Sequence, residues 1–130
     1  MTVLADYVVI LRNETFPVAA THGTATVTLP GKWSTGGRWP GGNAIFMYAV
    51  RGLAGSAEMW INNGSEDHVV GLPGGQITST ASATRWETQM LMLGADHLNG
   101  SGGNKNTLFF KNVTDDFEIR TIVCFFHQEV

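Results

Sequence analysis

Hydrophobic positions in this chain alternate with polar ones more often than they recur at helical spacing. The last strand is the clearest case. Phe117, Ile119, Thr121, Val123 and Phe125 fall on one face, and Glu118, Arg120, Ile122, Cys124 and Phe126 on the other. Period two over that length predicts a β-strand. Its second face is polar early and apolar late, which predicts that the strand runs into a more buried region. In the run TATVTL, Ala25, Val27 and Leu29 face one way and three threonines the other, as in a half-solvated strand. The run AIFMYAV is apolar throughout, the pattern of a central strand covered on both faces.

The pattern predicts strands over Tyr7–Arg12, Thr24–Leu29, Ala44–Val50, Ala57–Asn62, His68–Leu72, Arg85–Leu93, Thr107–Asn112 and Phe117–His127. No segment keeps an i, i+3, i+4, i+7 apolar stripe over three turns. Short strands separated by Gly, Pro and Asn turns predict an all-β fold. Its expected form is a single-domain, two-sheet antiparallel β-sandwich of jelly-roll type over residues 1–130.

Composition narrows the function classes. A chain of 130 residues can bury a core without metal or disulfide staples. Charged residues make up 15% and the formal net charge is −3, with Lys and Arg scattered. Nucleic-acid binding needs clustered cations, so no nucleic-acid partner is expected. No apolar run approaches the ~20 residues of a membrane span. The opening MTVLADYVVILRNETF has no basic stretch before its apolar patch and reads as the first strand rather than a signal peptide. Cys124 is the only cysteine, which excludes an intrachain disulfide and fits a small buried hydrophobe. These features favour cytoplasmic synthesis, or export by a route without a cleaved signal. Four segments fit the glycosylation sequon, beginning at Asn13, Asn63, Asn99 and Asn112, although Asn, Gly, Ser and Thr also gather in turns.

Two loops carry candidate chemistry. GKWSTGGRWPGG, Gly31 to Gly42, brings Trp33 and Trp39 together with Lys32 and Arg38; NGSGGNKN, Asn99 to Asn106, is rich in amides. A flat indole matches the C–H face of a sugar ring while amides and charges bind its hydroxyls. Trp33, Arg38, Trp39, Asn99 and Asn104 are therefore the candidate ligand-binding residues, with a core plug as the structural alternative for either tryptophan. Trp60 and Trp86 sit in strands and read as core or sheet-face packing. Asp115 and Asp116, before the last strand, are a candidate calcium pair, or turn acids bonded to their own backbone. His22, His68, His97 and His127 lack the close spacing of a zinc site. No catalytic motif is present: no Gly-x-Ser-x-Gly elbow, P-loop or dinucleotide fingerprint. Glu58, Glu66, Asp67, Glu87 and Asp96 offer carboxylates for glycoside cleavage, but no pair is set at a useful separation by sequence.

The second half resembles jelly-roll carbohydrate-binding modules and galactose-binding-like domains. The matching residues are Asn63-Gly64, Trp86-Glu87-Thr88, Asn106-Thr107-Leu108 and Asp116-Phe117, over about the last 75 residues. The chain departs from that pattern in lacking the acidic opening strand, for which Glu14 is a displaced candidate, and in the insertion Asn99–Asn106. The resemblance implies a non-catalytic, lectin-like module that binds a glycan or another small polar ligand. A second reading comes from the apolar end VCFFHQEV: a structural or assembly protein forming a homo-oligomer or particle. A toxin-like β-protein, suggested by QITSTASAT, and a small hydrolase come after these.

Overall fold

The computed structural model describes residues 3–20, 27–62, 68–70, 76–100 and 105–129. The strands are β1 (Val3–Val18), β2 (Val27–Thr28), β3 (Asn43–Arg51), β4 (Ala57–Ile61), β5 (His68–Val70), β6 (Gln76–Ile77), β7 (Glu87–Gly94), β8 (Leu108–Lys111) and β9 (Phe117–Glu129). A short 3-10 turn, Ala95–His97, follows β7. The strands form two antiparallel sheets, one in the order β1-β9-β3-β7 and the other β2-β8-β4-β5, with β6 also paired to β4. The last strand lies between the first and third, and β1 to β4 alternate between sheets; this is the jelly-roll order. The protein is an all-β sandwich.

The core fills the space between the sheets. Phe46, Tyr48 and Val50 of β3 and Ile119, Ile122 and Cys124 of β9 face Met59 and Ile61 of β4 and Leu108 and Phe110 of β8. Phe110 meets Phe117 edge-on at 6.0 Å, and Trp33 meets Phe46 at 5.9 Å. Truncating a side chain such as Phe46 here costs about 3–5 kcal/mol, because the cavity left behind adds to the lost transfer energy.

Two expectations about faces are corrected. Strand β3 is covered on one side only: Ala44, Phe46, Tyr48 and Val50 are buried, while Ile45, Met47 and Ala49 are half-exposed. Strand β9 does not keep one parity. Thr121 adopts φ 54°, in the left-handed region. The pairing with β3 shifts register between Met47 and Ala49. This β-bulge turns the inward set from Phe117 and Ile119 to Ile122, Cys124 and Phe126, and sends Val123 and Phe125 outward. The inward set, Phe117, Ile119, Ile122, Cys124 and Phe126, thus changes parity at the bulge.

Strand β1 is longer than the pattern predicts, running on to Val18 through register shifts at Val9/Leu11 and Leu11/Thr15. The first residues of the expected strand Thr24–Leu29, the last two of His68–Leu72, and the residues His22, Glu66 and Asp67 lie outside the described residues.

Candidate functional site

The loop between Gly31 and Gly42 and the start of β8 meet at one end of the sandwich, where a buried amide joins them. Asn106 is fully buried. Its Oδ1 accepts from Asn62 Nδ2 at 3.1 Å and from Asn99 N at 2.8 Å. Its Nδ2 donates to Thr35 Oγ1 at 2.9 Å and to Trp33 O at 3.3 Å. All four hydrogen-bonding positions of the side chain are used. Asn62 in turn donates to His97 O and accepts from Thr107 N. A buried polar group is tolerated on those terms, and a fully satisfied network rigidifies what it joins.

That network takes up two of the residues that the sequence offers as a ligand surface, Trp33 and Asn99. Trp33 is corrected from half of an exposed platform to a core residue: it is 6% exposed, and its Nε1 finds no acceptor among the described residues. Arg38 donates from Nε to Leu98 O at 2.8 Å, and Gly100 packs against its side chain. Asn99 donates from Nδ2 to Lys105 O and accepts through its own carbonyl from Thr35 Oγ1. Trp39 is half-buried and stands edge-on to His127 at 6.4 Å. Gly41 and Gly42 lie close on its ring, where a Cβ would fall 2.7 and 3.3 Å away, so glycine is what lets the loop close on the indole. Asn104 lies outside the described residues.

The opposite end is built differently. The C-terminal end of β1, the end of β3 and the start of β9 surround a cavity of about 280 Å³, lined by Pro17, Val18, Ala19, Arg51, Gly52, Asp116, Phe117 and Glu118. Strand pairing brings these together: Pro17 lies opposite Glu118 on one side of β9, and Arg51 opposite Glu118 on the other. Arg51 Nε donates to Glu118 Oε1 at 2.8 Å, and its guanidinium lies 4.5 Å from the centre of the Trp86 ring. Arg120 lies 4.1 Å from the same ring. Asp116 accepts from Ala20 N at 2.7 Å through Oδ1. Gly52 turns the chain at φ 79°, a conformation that suits glycine. It also borders a second hollow of about 230 Å³ with Ala54 and Thr80 to Ala83.

A cavity of about 280 Å³ stands at the lower limit of small-molecule sites, which fits a ligand of one ring. Its accessible apolar lining is Pro17 and Ala19, while Arg51 supplies donors and the two carboxylates acceptors. The sequence reading missed Arg51 and Glu118. They are 67 positions apart, and only the pairing of β3 with β9 joins them.

The acids offered for calcium point to different partners. Asp115 Oδ2 accepts from Thr114 Oγ1 at 3.0 Å, whereas Asp116 faces the cavity. Among the described residues no group of three or more His, Cys, Asp or Glu side chains is placed to hold a metal. Trp60 stacks on Phe109 and carries the Lys111 ammonium 4.4 Å from its ring centre. Cys124 is buried, and burial pushes its thiol up to about 12, away from nucleophilic use at neutral pH. Among the described residues no helix is long and apolar enough to cross a membrane.

Compared with known protein families, curated proteins and solved structures, the chain matches none. The protein is a two-sheet, jelly-roll-ordered β-sandwich.

Proposed function

We propose that the protein is a non-catalytic, lectin-like binding module whose ligand is a neutral, polyhydroxylated ring held in the cavity of Arg51, Asp116 and Glu118. The observation that carries this reading is the convergence of one guanidinium and two carboxylates on an apolar wall. Carboxylates accept from adjacent hydroxyls, the guanidinium donates to ring or hydroxyl oxygen, and Pro17 and Ala19 meet the C–H face. Arg51 is held by Glu118 and Trp86 before any ligand arrives, which lowers the ordering cost of binding. The resemblance of the second half to carbohydrate-binding modules supports the same class of ligand. This reading moves the recognition surface away from the loop of Trp33 and Trp39, where Trp33 is buried and Arg38 and Asn99 donate to backbone carbonyls.

The test is a glycan array followed by calorimetric titration of whichever neutral sugar binds, with and without calcium. Asp116→Asn keeps an acceptor for Ala20 N but loses the charge, and it weakens binding about tenfold, the loss of one charge-assisted hydrogen bond. A protein that binds no sugar under either condition contradicts the proposal, as does undiminished binding by Asp116→Asn.

A further inference from the structure

Gly52 borders two hollows at once: the cavity of about 280 Å³ at Arg51, Asp116 and Glu118, and the neighbouring one of about 230 Å³. Strand pairing explains the arrangement. Arg51, at the end of β3, lies opposite Glu118 of β9, which brings the acids of the first cavity alongside. On its other flank β3 pairs with β7, Val50 opposite Glu87. The segment that leads into β7 therefore runs beside the turn after β3. Thr80 N donates to Leu53 O at 2.8 Å, and Leu53 N donates to Thr80 Oγ1 at 3.0 Å. Ala81 N donates to Glu87 Oε2 at 2.7 Å. The rim of the second hollow is thus fastened to the turn and to β7 before any ligand arrives.

Gly52 brings no side chain to the boundary between the two hollows. It holds φ 79°, a conformation open to glycine and strained for other residues. A Cβ there would meet Ala83 O at 3.7 Å and, among the described residues beyond its chain neighbours, nothing else within 4 Å. The boundary is bare backbone with open space beside it.

The chemistry of the second hollow differs from that of the first. No titratable residue lines it. Ala54, Ala81 and Ala83 are exposed and present methyl groups. The hydroxyls are already engaged: Thr80 Oγ1 accepts from Leu53 N, and Ser82 Oγ from Thr84 N. Among the described residues no hydrogen bond reaches the carbonyls of Ala81 and Ala83. Free acceptors among methyl groups suit a ring that carries hydroxyls and C–H faces but no charge.

We infer that this hollow is a second subsite of the same recognition surface, and that the ligand is a neutral disaccharide unit laid across Gly52. The inference rests on the reading of the first cavity as a sugar site. From β9 across β3 to β7 is two strand spacings, roughly 10 Å, the length of two linked six-membered rings. One ring occupies the charged cavity. The next lies on the alanine methyls and donates a hydroxyl to Ala83 O. A disaccharide therefore gains about tenfold over a monosaccharide, the worth of one further hydrogen bond and a partly covered ring.

The experiment is calorimetric titration of the full chain with galactose, glucose and mannose, and with lactose, cellobiose, maltose and mannobiose. At least one disaccharide is expected to bind about tenfold more tightly than either of its constituent monosaccharides. Ala83→Leu, at an exposed position that borders only the second hollow, abolishes that ratio, and so does Ala81→Leu. Circular dichroism of each variant separates lost binding from lost folding. Equal affinity for monosaccharide and disaccharide overturns the inference and leaves the first cavity a site for a single ring. A preference that survives both substitutions in folded chains also overturns it, since the second ring then lies elsewhere. Binding of none of these sugars removes the reading of the first cavity, and this inference with it.

Discussion

At the end of the sandwich that carries Trp33 and Trp39, Asn106 is fully buried and commits all four of its hydrogen-bonding positions to its neighbours. At the opposite end, Arg51 pairs with Glu118 and lies against Trp86, Asp116 accepts one bond from Ala20 N, and all three side chains border a cavity. Both ends are loop-bearing ends of one fold, and both looked equally polar along the chain. The difference is in where the polar groups point. Buried and saturated amides define structure; unsaturated charges over an apolar wall define a place where a ligand adds partners that the protein lacks.

The largest expected effect breaks the first half of this comparison. Asn106→Ala removes two acceptors and two donors from partners that stay partly or wholly buried. It lowers stability by about 3–4 kcal/mol in urea unfolding, since each orphaned group costs about 1–3 kcal/mol and the set is cooperative. A loss near that of a surface amide, under about 0.5 kcal/mol, would mean that the network does not hold this end.

The middle of the molecule, shared by both ends, responds to alkali. Burial pushes the Cys124 thiol from its ordinary 9.0 up to about 12, and raises the Tyr48 hydroxyl as well. In the unfolded chain the thiol ionises near its ordinary value, whereas the folded core keeps it neutral. The stability of the folded state is therefore fully present below about pH 9 and falls as pH rises toward 12. The loss is about 2 kcal/mol at about pH 10.5 from the cysteine. Urea midpoints of the parent and of Cys124→Ala, compared between pH 8 and about 10.5, check it: the variant has the shallower decline.

Trp39→Ala sharpens the contrast at smaller cost. The ring is half-buried under Gly41 and Gly42, so its loss takes about 1–2 kcal/mol from stability by removing apolar contact. Binding of the sugar that the array identifies stays within a factor of two of the parent, because the indole lies at the other end from the cavity. A tenfold loss of affinity in a folded Trp39→Ala chain would return the site to this loop.

How much of this was legible in the sequence follows from the physics of each signal. Alternation carried the strands well, since hydropathy of period two is a direct print of a half-buried sheet. It did not carry the bulge at Thr121. A left-handed φ is normally advertised by glycine or asparagine, and a β-branched residue gives no such notice. Without the bulge, Val123 and Phe125 group with Phe117 and Ile119 on one face, and their outward position stays hidden. The strand Gln76–Ile77 went unread because two residues contain no period. Along the chain Asn106 reads as part of a ligand loop, because an amide in a Gly/Asn run looks solvated. Its burial depends on Asn62, Thr35 and Asn99 arriving from three other segments. The cavity depends in the same way on β9 pairing with both β1 and β3. Such sites are properties of register, and a single chain read along its length does not display register.

The central claim is that the recognition surface lies at the Arg51–Asp116–Glu118 end and not at the tryptophan loop. Its most direct test is amide chemical-shift mapping by NMR of the full chain, titrated with neutral monosaccharides such as galactose, glucose and mannose. The account predicts saturable shifts that centre on Arg51, Gly52, Asp116, Phe117 and Glu118, with Arg38, Trp39 and Asn99 unmoved. Shifts centred on Arg38, Trp39 and Asn99, or no saturable shift with any sugar, would contradict it.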